Sequence, residues 1–260
     1  MKLTTRALKG AAVFLAMGFS GALLRLQEPA AMLVSERPWP GQQPIHSSLS
    51  LTGNVWLLAH RQGAAGRLPV YKNRTFCGPS VPDERLLTTK KGGVRNAVVL
   101  LHSIDRFASG QPGRVVLDNI KCAFAPHVQV TTVGSELLLK NSDPILHTVH
   151  ARLGQQTLFN VGLPKRREIT KILEKPGVVR INCDVLHTWM SAAVVVTTTP
   201  YFAITNEHGF FLMDNLPPGE YRMEVWHESL GRRLRTISLG QGSRLSLDVV
   251  FASATGNSVE

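Results

Sequence analysis

Four side chains that suit a soft metal ion lie in two short stretches of this chain. Cys183, His187 and Met190 fall within eight residues, and His147 precedes the cysteine by thirty-six positions. Sulfur ligands select copper among the first-row metals, and imidazole suits copper as well. The four residues therefore predict a site for one mononuclear copper ion, in which two imidazoles and a thiolate bind strongly and a thioether binds weakly.

Each of these residues also has an ordinary structural explanation. His147 is alternatively a satisfied core histidine, Cys183 an ordinary buried thiol and Met190 an adaptable core side chain. Their spacing taken together favours ligation. His150 lies three residues after His147, and the alternation of side chains along a strand turns it to the opposite face, so we expect it to be structural.

The elements that must position these residues are predicted to be short β-strands. Apolar and β-branched runs, such as 128–133, 147–151, 177–183 and 192–198, are separated by turn residues, and no long helical pattern occurs. The chain has 22 Gly, 15 Pro and 43% hydrophobic residues, and its 18% charged residues are too few for a disordered polyelectrolyte. The pattern predicts an all-β fold of sandwiches or barrels.

From about residue 122 to residue 198 the chain resembles the cupredoxins, most of all the amicyanin and plastocyanin-like group. The similar segments are FAPHVQVTTVGSELLLKNSDPILHTVH and EKPGVVRINCDVLHTWMSAAVVV. The resemblance implies a Greek-key sandwich over 108–198 that carries one blue copper ion, transfers single electrons and is not an enzyme. It also implies a redox partner such as a cytochrome or a dehydrogenase, with His147, Cys183, His187 and Met190 as copper ligands.

Two features depart from the amicyanin-like pattern. Three residues separate Cys183 from His187 where two are usual, and Thr148 stands where an Asn usually follows the first ligand. The longer spacing also occurs in the binuclear copper domain of cytochrome oxidase subunit II, which needs a second Cys where this chain has Val179. A binuclear centre is therefore disfavoured. Nine scattered histidines likewise do not supply the clusters of a multicopper oxidase or a nitrite reductase.

The resemblance also implies a docking surface. His187 is expected to reach solvent through an apolar patch, where a partner would bind. The apolar residues that flank the ligands are Pro144, Ile145, Leu146, Leu186 and Trp189.

A second resemblance covers the C-terminal residues 199–254. The segments TNEHGFF (205–211) and NLPPGEY (215–221) are similar to turns of the carboxypeptidase regulatory, or transthyretin-like, β-sandwich, with Asn206 in place of the usual Asp. That module normally begins with strands that this stretch lacks. We expect 48–107 to supply them, so that the copper domain is inserted in a discontinuous sandwich; the alternative makes the N-terminal residues an extension of the copper domain.

The first 27 residues have the pattern of a targeting segment. Lys2, Arg6 and Lys9 precede an apolar stretch over 10–24, which is short for a membrane span and typical of a signal peptide. An uncleaved N-terminal anchor, the one expected contact with a membrane, is the alternative. In either case we expect the body to be exported, to a periplasm or its equivalent, behind a Pro-rich linker over 28–47.

The cysteine count and the charge fit an exported protein. Of three cysteines, Cys183 would stay free as a metal thiolate while Cys77 and Cys122 form a disulfide, although two buried free thiols are the alternative. The net charge is +11, and it is +7 without the first 27 residues, which could steer an acidic partner towards the protein; a basic proteome in an acidic or salty environment is the alternative. Nucleic acid is not expected, because no binding motif is present.

Two other functions use the same residues differently. A copper storage or delivery protein would bind Cu(I) through the same ligands and pass it to an acceptor. A structural or adhesive β-protein would have a degenerate site, and its C-terminal module would bind a partner.

Overall fold

A computed structural model describes residues 49–58, 66–105, 108–240 and 244–252. The predicted targeting segment and Pro-rich linker lie outside the described residues. Within the described ranges the chain forms nineteen strands and one four-residue helix, which confirms the predicted all-β fold class. No helix in these ranges has the length and apolar character needed to cross a membrane.

The elements, in chain order, are β1 Leu49–Leu57, β2 Arg67–Pro69, α1 Arg74–Cys77, β3 Ser80–Pro82, β4 Val98–Ser103, β5 Arg114–Ile120, β6 Ala123–Ala125, β7 Val128–Thr132, β8 Glu136–Asn141, β9 His147–Leu153, β10 Gln156–Leu163, β11 Glu168–Ile172, β12 Gly177–Asn182, β13 Ser191–Thr197, β14 Tyr201–Ile204, β15 Phe210–Leu216, β16 Gly219–His227, β17 Gly231–Leu239, β18 Arg244–Ser246 and β19 Val249–Phe251.

Strands β5 to β13 form what we call the site sandwich. One sheet has the order β10-β9-β12-β13-β7 and the other the order β11-β8-β5-β6. Burial alternates along β8 and β9, as expected for strands with one face on a core. Residues of both sheets, including Leu117, Leu139, Val149 and Ile181, meet in a single apolar cluster.

The remaining long strands form the second sandwich. Its sheets have the orders β15-β1-β18, with β19 also on β1, and β14-β4-β16-β17, and its core contains Leu51, Leu101, Phe211 and Tyr221. β1 and β4 precede the site sandwich in the chain, yet they pair with β15, β14 and β16, which follow it. This pairing is the one that a discontinuous sandwich requires.

Residues 66–83 do not join the second sandwich, and we call them the arm. β2 and β3 pair with each other, and Val70 and Val81 pack in the core of the site sandwich. A disulfide joins Cys77 of the arm to Cys122, the pairing favoured by the cysteine count. The stretch 48–107 is thus divided between the two bodies, because its apolar arm residues are buried against the site sandwich.

Candidate metal centre

The local fold brings the four predicted ligands to one end of the site sandwich. β12 runs antiparallel to β9, so the end of β12 lies beside the start of β9. His147 is the first residue of β9, and Cys183 directly follows β12. His187 and Met190 lie in the loop before β13, where Leu186 adopts a left-handed backbone with φ 64° and the Met190 N–H donates to the carbonyl of His187 at 2.9 Å.

Three ligand atoms converge in this loop region. The Nδ1 atoms of His147 and His187 are 3.1 Å apart, and Sγ of Cys183 lies 4.0 Å from the first and 3.6 Å from the second. A circle through the three atoms has a radius of about 2.1 Å, close to the length of metal–nitrogen and metal–sulfur bonds. Within the described residues, this is the one group of three or more His, Cys, Asp or Glu so arranged.

The cluster is removed from water. His147 and His187 are each 0% exposed, Cys183 is 4% exposed and Met190 is 1% exposed. Met190 belongs to the same apolar cluster as Cys183 and Trp189, so its side chain is buried in the core that also contains the thiol. A buried imidazole is favoured in its neutral form, which is the form that binds a metal.

His147 is held by a carboxylate that the sequence analysis did not single out. Asp143, 2% exposed, lies 3.0 Å from His147 Nε2 and also accepts hydrogen bonds from the backbone N–H groups of Lys121 and Cys122 at 2.7 and 2.8 Å. Burial lowers the pKa of His147, while Asp143 acts in the opposite direction. A carboxylate on the outer nitrogen fixes the ring so that Nδ1 faces the ligand cluster.

Cys183 receives hydrogen bonds from the strand that carries His147. The Thr148 N–H donates to Sγ at 3.4 Å, and the Thr148 hydroxyl lies 3.7 Å from Sγ. The same hydroxyl accepts from the Asp184 N–H at 2.7 Å. Thr148 thus connects the strand that carries His147 to the segment that carries Cys183. The family resemblance implies that an Asn usually makes this connection. His150 turns away from the cluster and bonds Asp184 at 2.8 Å.

The expectation that His187 reaches solvent is wrong. Its side chain is covered by the arm, where the Asn73 amide hydrogen-bonds its Nε2 at 2.9 Å. Burial, His147 and Lys72 together lower the pKa of His187 to about 4. Of the predicted apolar patch, Leu146 and Leu186 are exposed whereas Trp189 is buried.

Sequence reasoning missed both outer partners, Asn73 and Asp143. Asp143 lies four residues before His147. Its signal in the sequence is a carboxylate close to a predicted histidine ligand. Asn73 is 114 positions from His187. The one feature of the sequence that links it to the site is that Cys77, a predicted disulfide cysteine, follows four residues later. Only the disulfide and the packing of the arm bring it to the site.

Comparison with known proteins gives structural likenesses only. No protein-family model and no curated protein matches the chain. Among solved structures, a purple cupredoxin from Nitrosopumilus maritimus is 20% identical, with a TM-score of 0.29, over 33% of this chain and 99% of its own. A reduced amicyanin variant is 23% identical, with a TM-score of 0.29, over 38% of this chain and 97% of its own.

A copper-containing nitrite reductase from Thermus scotoductus is 18% identical, with a TM-score of 0.30, over 37% of this chain and 25% of its own. At these identities and TM-scores the likenesses carry no functional argument. The function has to be inferred from the side chains of this chain.

Proposed function

We propose that this chain is an exported electron carrier that holds one copper ion between His147, Cys183 and His187, with Met190 as the weak fourth ligand. The observation that carries the proposal is the convergence of two imidazole nitrogens and one thiol sulfur within 4.0 Å of each other. Two imidazoles, one thiolate and a weak thioether are the donor set of blue copper sites.

The residues around the cluster suit a ligand set that keeps its geometry. When bound, copper supplies one-electron chemistry by alternating between Cu(I) and Cu(II). Asp143 fixes the His147 ring, Thr148 fixes the sulfur of Cys183 and Asn73 fixes the His187 ring. Ligands held by buried hydrogen bonds move little when the charge of the site changes, and little movement favours fast electron exchange.

The burial of the ligands favours electron transfer over copper delivery. Delivery to an acceptor requires that an incoming ligand reach the metal, yet both imidazoles are 0% exposed and the thiol is 4% exposed. An electron needs no such opening. The same burial disfavours a catalytic copper site, where a substrate would have to approach the ion.

The disulfide and the charge support the rest of the proposal. A disulfide between Cys77 and Cys122 is typical of an oxidising compartment, in keeping with export. The basic net charge, +11 for the whole chain and +7 without the first 27 residues, favours an acidic redox protein as the partner.

The test is to load the full-length protein with Cu(II) and to record its visible and EPR spectra beside those of a Cys183→Ser variant. We expect an intense thiolate-to-copper band and one copper per chain, with the band lost in the variant. Rapid oxidation and reduction by an acidic cytochrome would then support electron transfer. Metal content without the band, or an identical spectrum in Cys183→Ser, would contradict the proposal.

A further inference from the structure

The outer nitrogens of both candidate ligand imidazoles are held by residues that meet at one disulfide. Asn73 bonds Nε2 of His187, and Asp143 bonds Nε2 of His147. Asn73 lies at the start of α1, which ends at Cys77, and Cys77 is bonded to Cys122. The Cys122 N–H in turn donates to Asp143 at 2.8 Å.

Cys122 is the point where these contacts converge. It is 0% exposed, and its carbonyl accepts a hydrogen bond from Trp189 Nε1 at 3.0 Å. Trp189 lies in the loop between His187 and Met190. Its ring centroid is 5.0 Å from the ring centroid of His187, and the two rings are tilted by 39°. The sulfur of Cys122 therefore connects to Cys77 of the arm, and its N–H connects to Asp143. Its carbonyl connects to the loop that carries His187 and Met190.

We propose that Asn73 is a positioning residue of the metal centre, and that the Cys77–Cys122 disulfide makes the arm a fixed cover over His187. This inference rests on the proposed function and adds a residue from a remote segment to the site. The metal-facing nitrogen of His187 is Nδ1, which leaves Nε2 to Asn73. In the structure the amide nitrogen of Asn73 faces Nε2, which suits an unprotonated Nε2. When a metal occupies Nδ1, Nε2 carries the proton, and the amide keeps the contact by turning over so that its oxygen accepts.

The backbone at Asn73 explains why an asparagine suits this position. Its φ of 57° is left-handed, a region that Asn tolerates better than most side chains. Its carbonyl also accepts hydrogen bonds from the N–H groups of Phe76 and Cys77 at 3.0 and 2.9 Å. The turn that presents the amide to His187 is thus the same turn that places Cys77 for the disulfide.

The test compares Asn73→Gly, Asn73→Asp and a matched control in the full-length protein. Glycine keeps the left-handed backbone and removes the amide, while aspartate keeps an acceptor for the Nε2–H of a metal-bound His187. The control is Asn215→Gly, because Asn215 is also left-handed, with φ 58°, and is exposed in β15 of the second sandwich.

The first measurement needs no copper. Exchange of the imidazole C2 hydrogen with D₂O, followed residue by residue by mass spectrometry, reports solvent access at each histidine of the apo-protein. We expect exchange at His187 to be about tenfold faster in Asn73→Gly, the effect of one net hydrogen bond on an opening equilibrium. Exchange at His147 should be unchanged, and Asn215→Gly should match the wild type.

The second measurement follows the removal of Cu(I) by a chelator. Removal should be about tenfold faster in Asn73→Gly and close to the wild-type rate in Asn73→Asp. A folded Asn73→Gly variant with wild-type exchange at His187 would overturn the inference. A wild type that shows no thiolate-to-copper band would instead overturn the proposed function, and the exchange result would still decide whether Asn73 covers His187.

Discussion

The site sandwich and the second sandwich are each built from two β-sheets, and they differ in what their buried polar groups contact. In the second sandwich the Thr205 hydroxyl donates to the carbonyl of Val94 at 2.7 Å and accepts from the N–H of Ala97 at 2.9 Å. The Tyr221 hydroxyl donates to the carbonyl of Pro217 at 2.7 Å. In the site sandwich two imidazole nitrogens and a thiol face one another in the core. Both bodies are two-sheet sandwiches with different strand orders, and the sandwich architecture by itself gives no chemistry, which comes from the residues at one end of one of them.

Buried polar groups normally have protein or water partners. The hydroxyls of the second sandwich satisfy this rule through backbone groups, and they need no ligand. In the site sandwich the Nδ1 atoms of His147 and His187 lie within hydrogen-bond distance of each other, and one positive ion could replace that contact by binding both nitrogens. The two bodies therefore differ in their buried donor atoms, since those of the site sandwich face one another and those of the second sandwich face the backbone.

The largest expected effect is on the stability of the site sandwich. Replacing both Cys77 and Cys122 by Ala removes a cross-link over 45 positions, and loop-closure entropy predicts a loss of about 4 kcal/mol in the free energy of unfolding. Urea unfolding of the apo-protein measures it. The second sandwich has no part in this disulfide, so a probe on its own strands, such as Trp56 of β1, whose indole N–H donates to Asp248, should report a smaller loss if the bodies unfold separately. A total loss under about 1 kcal/mol would contradict the prediction.

The second largest expected effect is a loss of folding stability at acidic pH that is caused by His227, which lies in β16 of the second sandwich. Burial is the main cause that lowers the pKa of His227 to about 4, with Glu228 acting in the opposite direction and His127 in the same one. The unfolded chain takes up a proton near the ordinary value of 6.5 and the folded protein does so only near 4. Stability from this group is therefore full above pH 6.5 and falls as the pH drops towards 4, by at most about 3 kcal/mol.

The measurement compares urea unfolding of the wild type at pH 7 and pH 4.5 with that of His227→Gln. We expect the variant to lose less stability between these two values than the wild type does. His127, paired with Glu228 and Glu84, has a raised pKa and acts in the opposite sense, and it is present in both proteins. An equal loss in wild type and variant would show that His227 is not the responsible group.

The smallest expected effect is on copper affinity, and it comes from a single carboxylate, Asp143, in the site sandwich. Asp143→Asn removes the charge beside His147, and loss of such an outer partner typically weakens metal binding about 10- to 100-fold. Competition with a Cu(II) chelator measures the change. Asp214→Asn, at an exposed position of β15, is the matched control and should bind copper as the wild type does. Equal affinity in Asp143→Asn would exclude the proposed role of Asp143.

The sequence predicted the parts of the site that are local or that follow the β-pattern. Cys183, His187 and Met190 share one loop, so their spacing is sufficient to group them. His147 was added on the family resemblance of its segment, and in the structure it begins a strand whose neighbour ends at Asn182. The all-β class followed from alternation and turn residues, such as those around β8 and β9.

The parts that were missed depend on contacts between distant segments. The arm carries few residues with a regular pattern, and nothing in its sequence indicates that Val70 and Val81 belong to the core of the site sandwich. His187 was expected at the surface on the family resemblance, whereas the folded arm places Asn73 on it. Pairing of β1 and β4 with later strands was one of two alternatives that the sequence left open.

The most direct test of the central claim is X-ray absorption at the copper edge of the loaded protein. We predict two nitrogen scatterers and one sulfur scatterer at bonding distance, near the radius of about 2.1 Å that the three ligand atoms define. A spectrum of nitrogen and oxygen scatterers without sulfur would show that Cys183 does not bind the ion, and it would contradict the account.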